Sequence, residues 1–237
     1  MNARELYQAG ELDAAIELLG TELRGNPTDA QRRVFLFELL SFAGDYGRAE
    51  KQLDIAGQGS KEAAMGALLY RSALHAESVR QDMFARNDLP QSGVTPAPVS
   101  GVLNGTPFER LADADPRIGA RLEVFAAGQY LWLPLEHVAS VEMREPKRLR
   151  DLLWSPALVK TGPGFEGVEL GEVLIPVIAP LTWQYGGDDA RLGRASEWIL
   201  AESGAEVPIG QKLLLVDDEE FPILELRELE IGATASG

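Results

Sequence analysis

The sequence contains no cysteine. That absence excludes a disulfide framework, thiolate metal sites and a cysteine nucleophile together, and leaves the fold resting on its packed cores. Histidine is nearly missing too, with 2 in 237 residues. His75 and His137 lie too far apart for a metal-ligand spacing, and each reads as a surface or structural histidine. No apolar run approaches the roughly 20 residues of a membrane span, since the most apolar stretch, Val173 to Leu181, is broken by Pro176 and Pro180. The N-terminal segment Met1-Asn-Ala-Arg-Glu-Leu-Tyr7 lacks the basic region and apolar core of a secretory signal, so a cytoplasmic protein without a membrane partner is expected. Positive charge is scarce: 22 Lys and Arg stand against 37 Asp and Glu, a formal net charge of -15, and most of the acidic excess falls after residue 90. Diffuse electrostatics therefore oppose nucleic acid and anionic lipid and favour a basic partner surface. A nucleophile elbow, a phosphate-binding glycine loop and a dinucleotide fingerprint are all lacking, so no cofactor and no metal are expected.

What is present is ordinary globular composition, 45% hydrophobic and 25% charged, in a chain long enough for two modest domains. The first half carries an internal repeat. Gly10-Glu-Leu-Asp-Ala-Ala15 and Gly44-Asp-Tyr-Gly-Arg-Ala49 are offset by about 34 residues, the tetratricopeptide period. Each glycine can take the left-handed conformation that ends one helix, and the small residue that follows allows the next to pack closely. Asn26-Pro27 closes the first unit, and Thr28 and Asp29 are N-cap candidates for a helix from Gln31 to Phe42 that is apolar nearly all round and so should be sandwiched between neighbours. A third long helix is expected from about Lys61 to Arg86, burying Ala64, Leu68, Leu69, Ala73 and Val79. In such a module the concave face comes from the first helix of each pair, which makes Arg4, Tyr7, Gln8, Gln31, Val34, Glu38, Ser41 and Phe42 the candidate partner-binding residues. The plainer reading of Tyr7 and Phe42 is core packing.

Asp88 to Gly101 holds three prolines, two glycines and two serines, a linker composition. The expected organisation is a helical module at 1–87, a linker at 88–101 and a β-rich domain at 102–237. In the last, Tyr130 to Pro134, His137 to Met143, Ala157 to Lys160, Val173 to Ile175, Lys212 to Val216 and Phe221 to Leu226 read as short strands between Gly, Pro and Asp turns. Helices are expected from Arg117 to Ala127, capped by Gly128, and from Asp188 to Leu200. The fold class is then α+β: tetratricopeptide-like helical repeats followed by a smaller, barrel-like β-rich domain with flanking helices.

Several separated segments resemble one family. They are Gly10 to Glu38, Asn104-Gly-Thr-Pro-Phe108, Leu111-Ala-Asp-Ala-Asp-Pro-Arg-Ile-Gly119, Gly128-Gln-Tyr-Leu-Trp-Leu-Pro134, Leu149-Arg-Asp-Leu-Leu-Trp-Ser-Pro-Ala157 and Arg191-Leu-Gly-Arg-Ala-Ser-Glu-Trp198. On these the chain resembles the ImpE family, also called TagJ, accessory proteins of bacterial type VI secretion. The resemblance implies a non-catalytic adaptor at the contractile sheath, associated with a helix of the small sheath subunit and functionally with the AAA+ ATPase that disassembles contracted sheaths. It implies no cofactor. The chain departs from the family's pattern at Ile175-Pro-Val-Ile-Ala-Pro180 and in a shorter segment before Gly101.

Two other classes stay open. A hydrolase or transferase would use Asp113, Asp115 and His137, although carboxylates just before an expected helix also serve as caps or pair with Arg117. A self-associating structural subunit would show an apolar self-interface. Asp217-Asp-Glu-Glu220 lacks the alternation of a calcium loop and reads as a solvated hairpin turn. Trp132, Trp154, Trp183 and Trp198 read as core, or as a binding patch where exposed.

Overall fold

The computed structural model describes residues 1–90, 96–162, 164–165, 167, 169–201 and 204–232. Of the expected linker 88–101, residues 91–95 lie outside them. The chain begins with five helices: α1 (Ala3–Gln8), α2 (Leu12–Gly25), α3 (Ala30–Phe42), α4 (Tyr46–Ala56) and α5 (Lys61–Ala85). Their starts follow from capping residues. Asn2 and Glu5 form a reciprocal capping box on α1, Asp29 accepts the Arg32 N–H, Asp45 that of Arg48, and Ser60 that of Ala63, each satisfying an amide that a helix leaves free. Gly10 and Gly44 take φ of 84° and 74° between successive helices, the left-handed conformation expected of them. At Gly44 a second constraint applies, because a Cβ there would fall 2.4 Å from the Trp183 ring.

The rest of the described chain is mainly strand: β1 (Gly101–Leu103), β2 (Thr106–Phe108), β3 (Leu111–Asp113), β4 (Arg121–Ala126), β5 (Gln129–Pro134), β6 (Val138–Met143), β7 (Trp154–Thr161), β8 (Gly171–Pro176), short helices α6 (Thr182–Tyr185) and α7 (Asp188–Arg191), then β9 (Ser196–Leu200), β10 (Glu206–Gly210), β11 (Leu213–Val216), β12 (Glu219–Pro222) and β13 (Glu228–Ile231). The principal sheet runs β2-β1-β13-β6-β7-β8-β4-β5, with antiparallel neighbours. It is open, with β2 and β5 at its edges, and does not close into a barrel. Smaller sheets pair β9 with β10 and β12-β11-β3. The architecture is α+β.

Two expected helices are corrected. Arg121–Ala126, inside the expected helix from Arg117 to Ala127, is a strand. The 3–4 spacing of Ile118, Leu122 and Phe125 mimics a helix face, but β4 is covered on both sides: Leu122 and Val124 join the core within the sheet, whereas Phe125 joins the helical core and Glu123 meets Arg80 of α5. A strand buried on both faces loses the alternation that marks strands. Gly128 caps no helix; with Ala127 it forms the β4–β5 turn, at φ of 49° and 79°, the positive pair a two-residue hairpin needs. From Asp188 only Asp188–Arg191 is helical, because Gly193 at φ 67° ends the turn and Ser196–Leu200 pairs with β10. Phe221 to Leu226 is strand only to Pro222 and then a 3-10 turn.

The buried face of α5 also differs from expectation. Ala73 is buried, but Ala64, Leu68, Leu69 and Val79 are exposed, as is Met65. The face turned inward carries Ala67, Leu74, Ala76, Glu77, Arg80, Gln81 and Phe84. Arg80, at 0% exposure, forks onto Glu123 at 2.7 and 3.1 Å and onto Glu77 at 3.1 Å. Glu77 also accepts from Trp154 Nε1 at 3.0 Å and Gln81 Nε2 at 2.5 Å, and the Gln81 side-chain oxygen accepts the Leu181 N–H. These bonds tie α5 to the sheet beside a common apolar core, in which Leu12, Leu19, Phe37 and Leu40 join Phe125, Leu153 and Trp154. Trp154 is the largest fully buried side chain, with its ring 6.3 Å from that of Phe37.

Candidate functional site

A groove of about 800 Å³ lies between α1, α3 and the segment Pro146 to Leu152. Its floor is one face of α3: Gln31, Val34, Phe35 and Glu38 recur at the i, i+3, i+4, i+7 spacing that aligns side chains along a helix. One wall is α1, through Arg4 and Tyr7. The Tyr7 and Phe35 rings meet edge to face at 6.0 Å, and the Arg4 guanidinium lies 5.3 Å from the Phe35 ring centre. Arg194 fixes the end of α1 by donating to the Tyr7 and Gln8 carbonyls at 2.6 and 3.2 Å while stacking on the Tyr7 ring, a cation placed where a helix end is negative.

The opposite wall is built by one carboxylate. Asp151, buried, accepts the backbone N–H groups of Lys147 and Arg148, both at 2.9 Å, and so opens the 3-10 turn Leu149–Leu152. Leu149 and Leu152 pack on the helical core, while Lys147 and Arg148 stay exposed. Arg150 crosses from this wall to the floor, donating to Glu38 at 3.2 Å and stacking on Tyr70 of α5 at 4.6 Å. Burial pushes the Glu38 carboxyl up to about 7, against the pull of Arg150, Arg4 and Arg148.

Of the residues expected on the binding face, Arg4, Tyr7, Gln31, Val34 and Glu38 line this groove, and Gln8, Ser41 and Phe42 do not. Gln8 is exposed beyond its end. Ser41 and Phe42 belong to the last turn of α3, which passes into the interior; Ser41 bonds the Phe37 carbonyl at 2.8 Å, and both residues border a small buried space beside Trp154 and Trp183. The sequence reading missed Phe35 and the whole wall from Pro146 to Leu152. A signal existed, since Lys147-Arg-Leu-Arg150 places three cations in four residues of an acidic chain.

The carboxylates considered for catalysis are held in ion pairs. Asp113 meets Lys212 at 2.5 Å, and Lys212 also contacts Glu123. Burial pushes the Asp113 carboxyl up to about 6, with Lys212 opposing. Burial likewise disfavours charge on Glu123, but Arg80 and Lys212 outweigh it and hold that carboxyl well below the usual range. Asp115 caps no helix; it accepts the Arg117 N–H at 2.9 Å and the guanidinium at 2.6 Å. The ring beside His137 is Phe165, at 6.2 Å, and no bond among the described residues links His137 to Asp113 or Asp115. Asp217 and Asp218 form the β11–β12 turn, at φ of 52° and 72°, where Asp217 accepts the N–H groups of Glu109 and Arg110. Trp154 lies inside and Trp132 is half-buried on the edge strand β5, while Trp183 and Trp198 are partly exposed on separate elements. Among the described residues no cluster of three or more His, Asp or Glu could hold a metal ion, and no helix is long and apolar enough to cross a membrane.

Comparison with known proteins bears on the whole chain. The fold is similar to the crystal structure of a protein from Vibrio parahaemolyticus, with a TM-score of 0.83 over 98% of each chain at 23% identity. The sequence is 34% identical to the type VI secretion system accessory component TagJ of Pseudomonas aeruginosa, over 99% of this chain and 92% of that relative. The family described as ImpE protein matches residues 105–230, more than half of the chain, a span that takes in the groove wall from Pro146 to Leu152. On that match and the near full-length relative, the chain belongs to the ImpE family.

Proposed function

We propose that this protein is a non-catalytic adaptor of a bacterial type VI secretion system that holds a helix of the small contractile-sheath subunit in the groove between α1, α3 and Pro146 to Leu152. The observation that carries the reading is the groove itself, an open apolar floor on one helix face with partly buried anchors on both walls. Such a surface takes the apolar stripe of an amphipathic helix. The accessory role is that named for the Pseudomonas aeruginosa relative, and the sheath partner is the one the family resemblance implies. Within this reading α1 to α5 act as a short tetratricopeptide-like module, the open sheet supplies the second wall, and any link to the sheath-disassembling ATPase runs through the sheath. A catalytic role has less support, because Asp113 and Asp115 are occupied by Lys212 and Arg117.

The test is co-purification of the full chain with the small sheath subunit of the same bacterium, comparing the parent with Val34→Asp. Val34 is half-buried on the groove floor, so a carboxylate there is tolerated by the fold but meets the partner's apolar stripe. Capture by the parent and at least about a tenfold loss in the variant are expected, the effect of roughly 1.4 kcal/mol at a contact. Equal capture by both proteins removes the groove from the reading, and no capture by the parent removes the sheath subunit.

A further inference from the structure

The chain carries a net charge of -15, yet the groove is ringed by Arg4, Lys147, Arg148 and Arg150. The single carboxylate lining it, Glu38, is buried and paired with Arg150. Arg4, Lys147 and Arg148 are exposed, and among the described residues no carboxylate lies within ion-pair distance of any of them. Elsewhere Arg32, Arg48, Arg71, Arg86 and Arg110 have acidic partners, and other exposed cations without an ion pair among the described residues, such as Arg24, Lys51, Lys61 and Arg144, do not line the groove, so the gathering of three around one cleft is what sets it apart. Three unmatched cations around one apolar groove, on an acidic molecule, are a local inversion of sign that favours a negatively charged ligand.

The groove's size bears on the form of that ligand. A helix about 10 Å across rises roughly 1.5 Å per residue, so some 800 Å³ holds about two turns. The floor offers Val34 and Phe35, and the walls Tyr7, Leu149 and Leu152, an apolar trough that suits side chains at i, i+3 or i+4 and i+7. An anionic membrane would meet the exposed cations but leave the trough empty, and would face the repulsion of the whole molecule.

We propose that the groove selects an acidic amphipathic helix, whose apolar stripe seats on Val34, Phe35 and Leu149 while carboxylates flanking the stripe pair with Arg4, Lys147 and Arg148. The proposal rests on the reading of this groove as the partner site and adds the partner's chemistry. Lys147 and Arg148 enter the wall through their backbone amides, which Asp151 accepts, so changing their side chains leaves the wall's hydrogen bonds in place.

The experiment titrates the full chain into two fluorescein-labelled helical peptides with the same leucine stripe, one flanked by Glu and the other by Lys, and measures anisotropy at low and high salt. Diffuse attraction to an acidic protein favours the Lys peptide, so preference for the Glu peptide reports the groove. Binding of the Glu peptide about tenfold or more tighter than the Lys peptide, weakened by salt and lost in a Lys147→Gln, Arg148→Gln double variant, is the expected result. Equal binding, preference for Lys, no binding, or a double variant that binds like the parent overturns the acidic selectivity. Val34→Asp separates the two claims: if it abolishes peptide binding while the double variant does not, the groove stands and its charge selectivity falls. If Val34→Asp binds the peptide unchanged, the groove assignment fails and this proposal with it. Sedimentation with phosphatidylglycerol vesicles that depends on Lys147 and Arg148 also overturns it, in favour of a lipid surface.

Discussion

Glu38 is pulled in opposite directions by its surroundings. Its place on α3 removes it from water, which favours the neutral acid, and Arg150 at 3.2 Å favours the anion. Burial prevails, with a carboxyl pushed from an ordinary 4.5 up to about 7. Between those values the folded chain keeps a proton that the unfolded chain has released, so raising pH through that window removes stability, and the contribution is fully present only below it. Glu38→Gln fixes a neutral side chain of the same shape. Urea midpoints of parent and variant from pH 5 to 8 should therefore diverge in the variant's favour as pH rises, the parent losing relative stability mainly between 5 and 7. A difference that does not vary with pH contradicts the assignment.

At the scale of elements, α5 is held to the sheet by buried ion pairs as well as by apolar contact, and the two kinds of ion pair in the molecule should behave differently. Removing Glu123 leaves Arg80 with Glu77 alone and Lys212 with Asp113 alone, and deprives buried donors of Arg80, Tyr130 and Lys212 of their common acceptor, a loss of about 3–5 kcal/mol for Glu123→Ala. Arg110→Ala breaks the Arg110–Asp218 pair, which is mostly exposed, and should cost less than about 1 kcal/mol. Urea denaturation of the two variants checks the contrast, and comparable losses contradict it. The same network explains which elements could be read from sequence. The bounds of α2 to α5 follow from local signals at Gly10, Asp29, Gly44, Asp45 and Ser60, and a local signal is visible in a local window. The inward face of α5 is not, because hydropathy selects Leu68, Leu69 and Val79, whereas the buried side carries Glu77, Arg80 and Gln81 and becomes favourable only with partners far along the chain. β4 resembles a helix in sequence for the converse reason: its second face is covered by that helix, so its apolar residues do not alternate. In the groove, the spacing of Gln31, Val34 and Glu38 placed the floor, while the wall depends on an Asp151 turn that no helical or strand period reports.

For the whole molecule, the groove is a joint product of both halves, since its floor comes from α3 and its second wall from Pro146 to Leu152. A fragment of residues 1–87 keeps the helices but loses Phe125, Leu153 and Trp154 from their core and leaves Arg80 without Glu123. It should melt without a cooperative transition by circular dichroism and should not bind the acidic helix; a sharp melt together with full-length affinity contradicts that view. The long span of these contacts also bears on how the chain is made. During synthesis the helical half leaves the ribosome first, but Arg80, Glu77 and Gln81 wait for Glu123, Trp154 and Leu181, and Glu123 in turn waits for Lys212. At roughly 5–20 residues per second that delay is on the order of ten seconds. Until then water must stand in for those partners along the polar stripe of α5, so the set of bonds that joins the two halves is complete only after Lys212 has emerged.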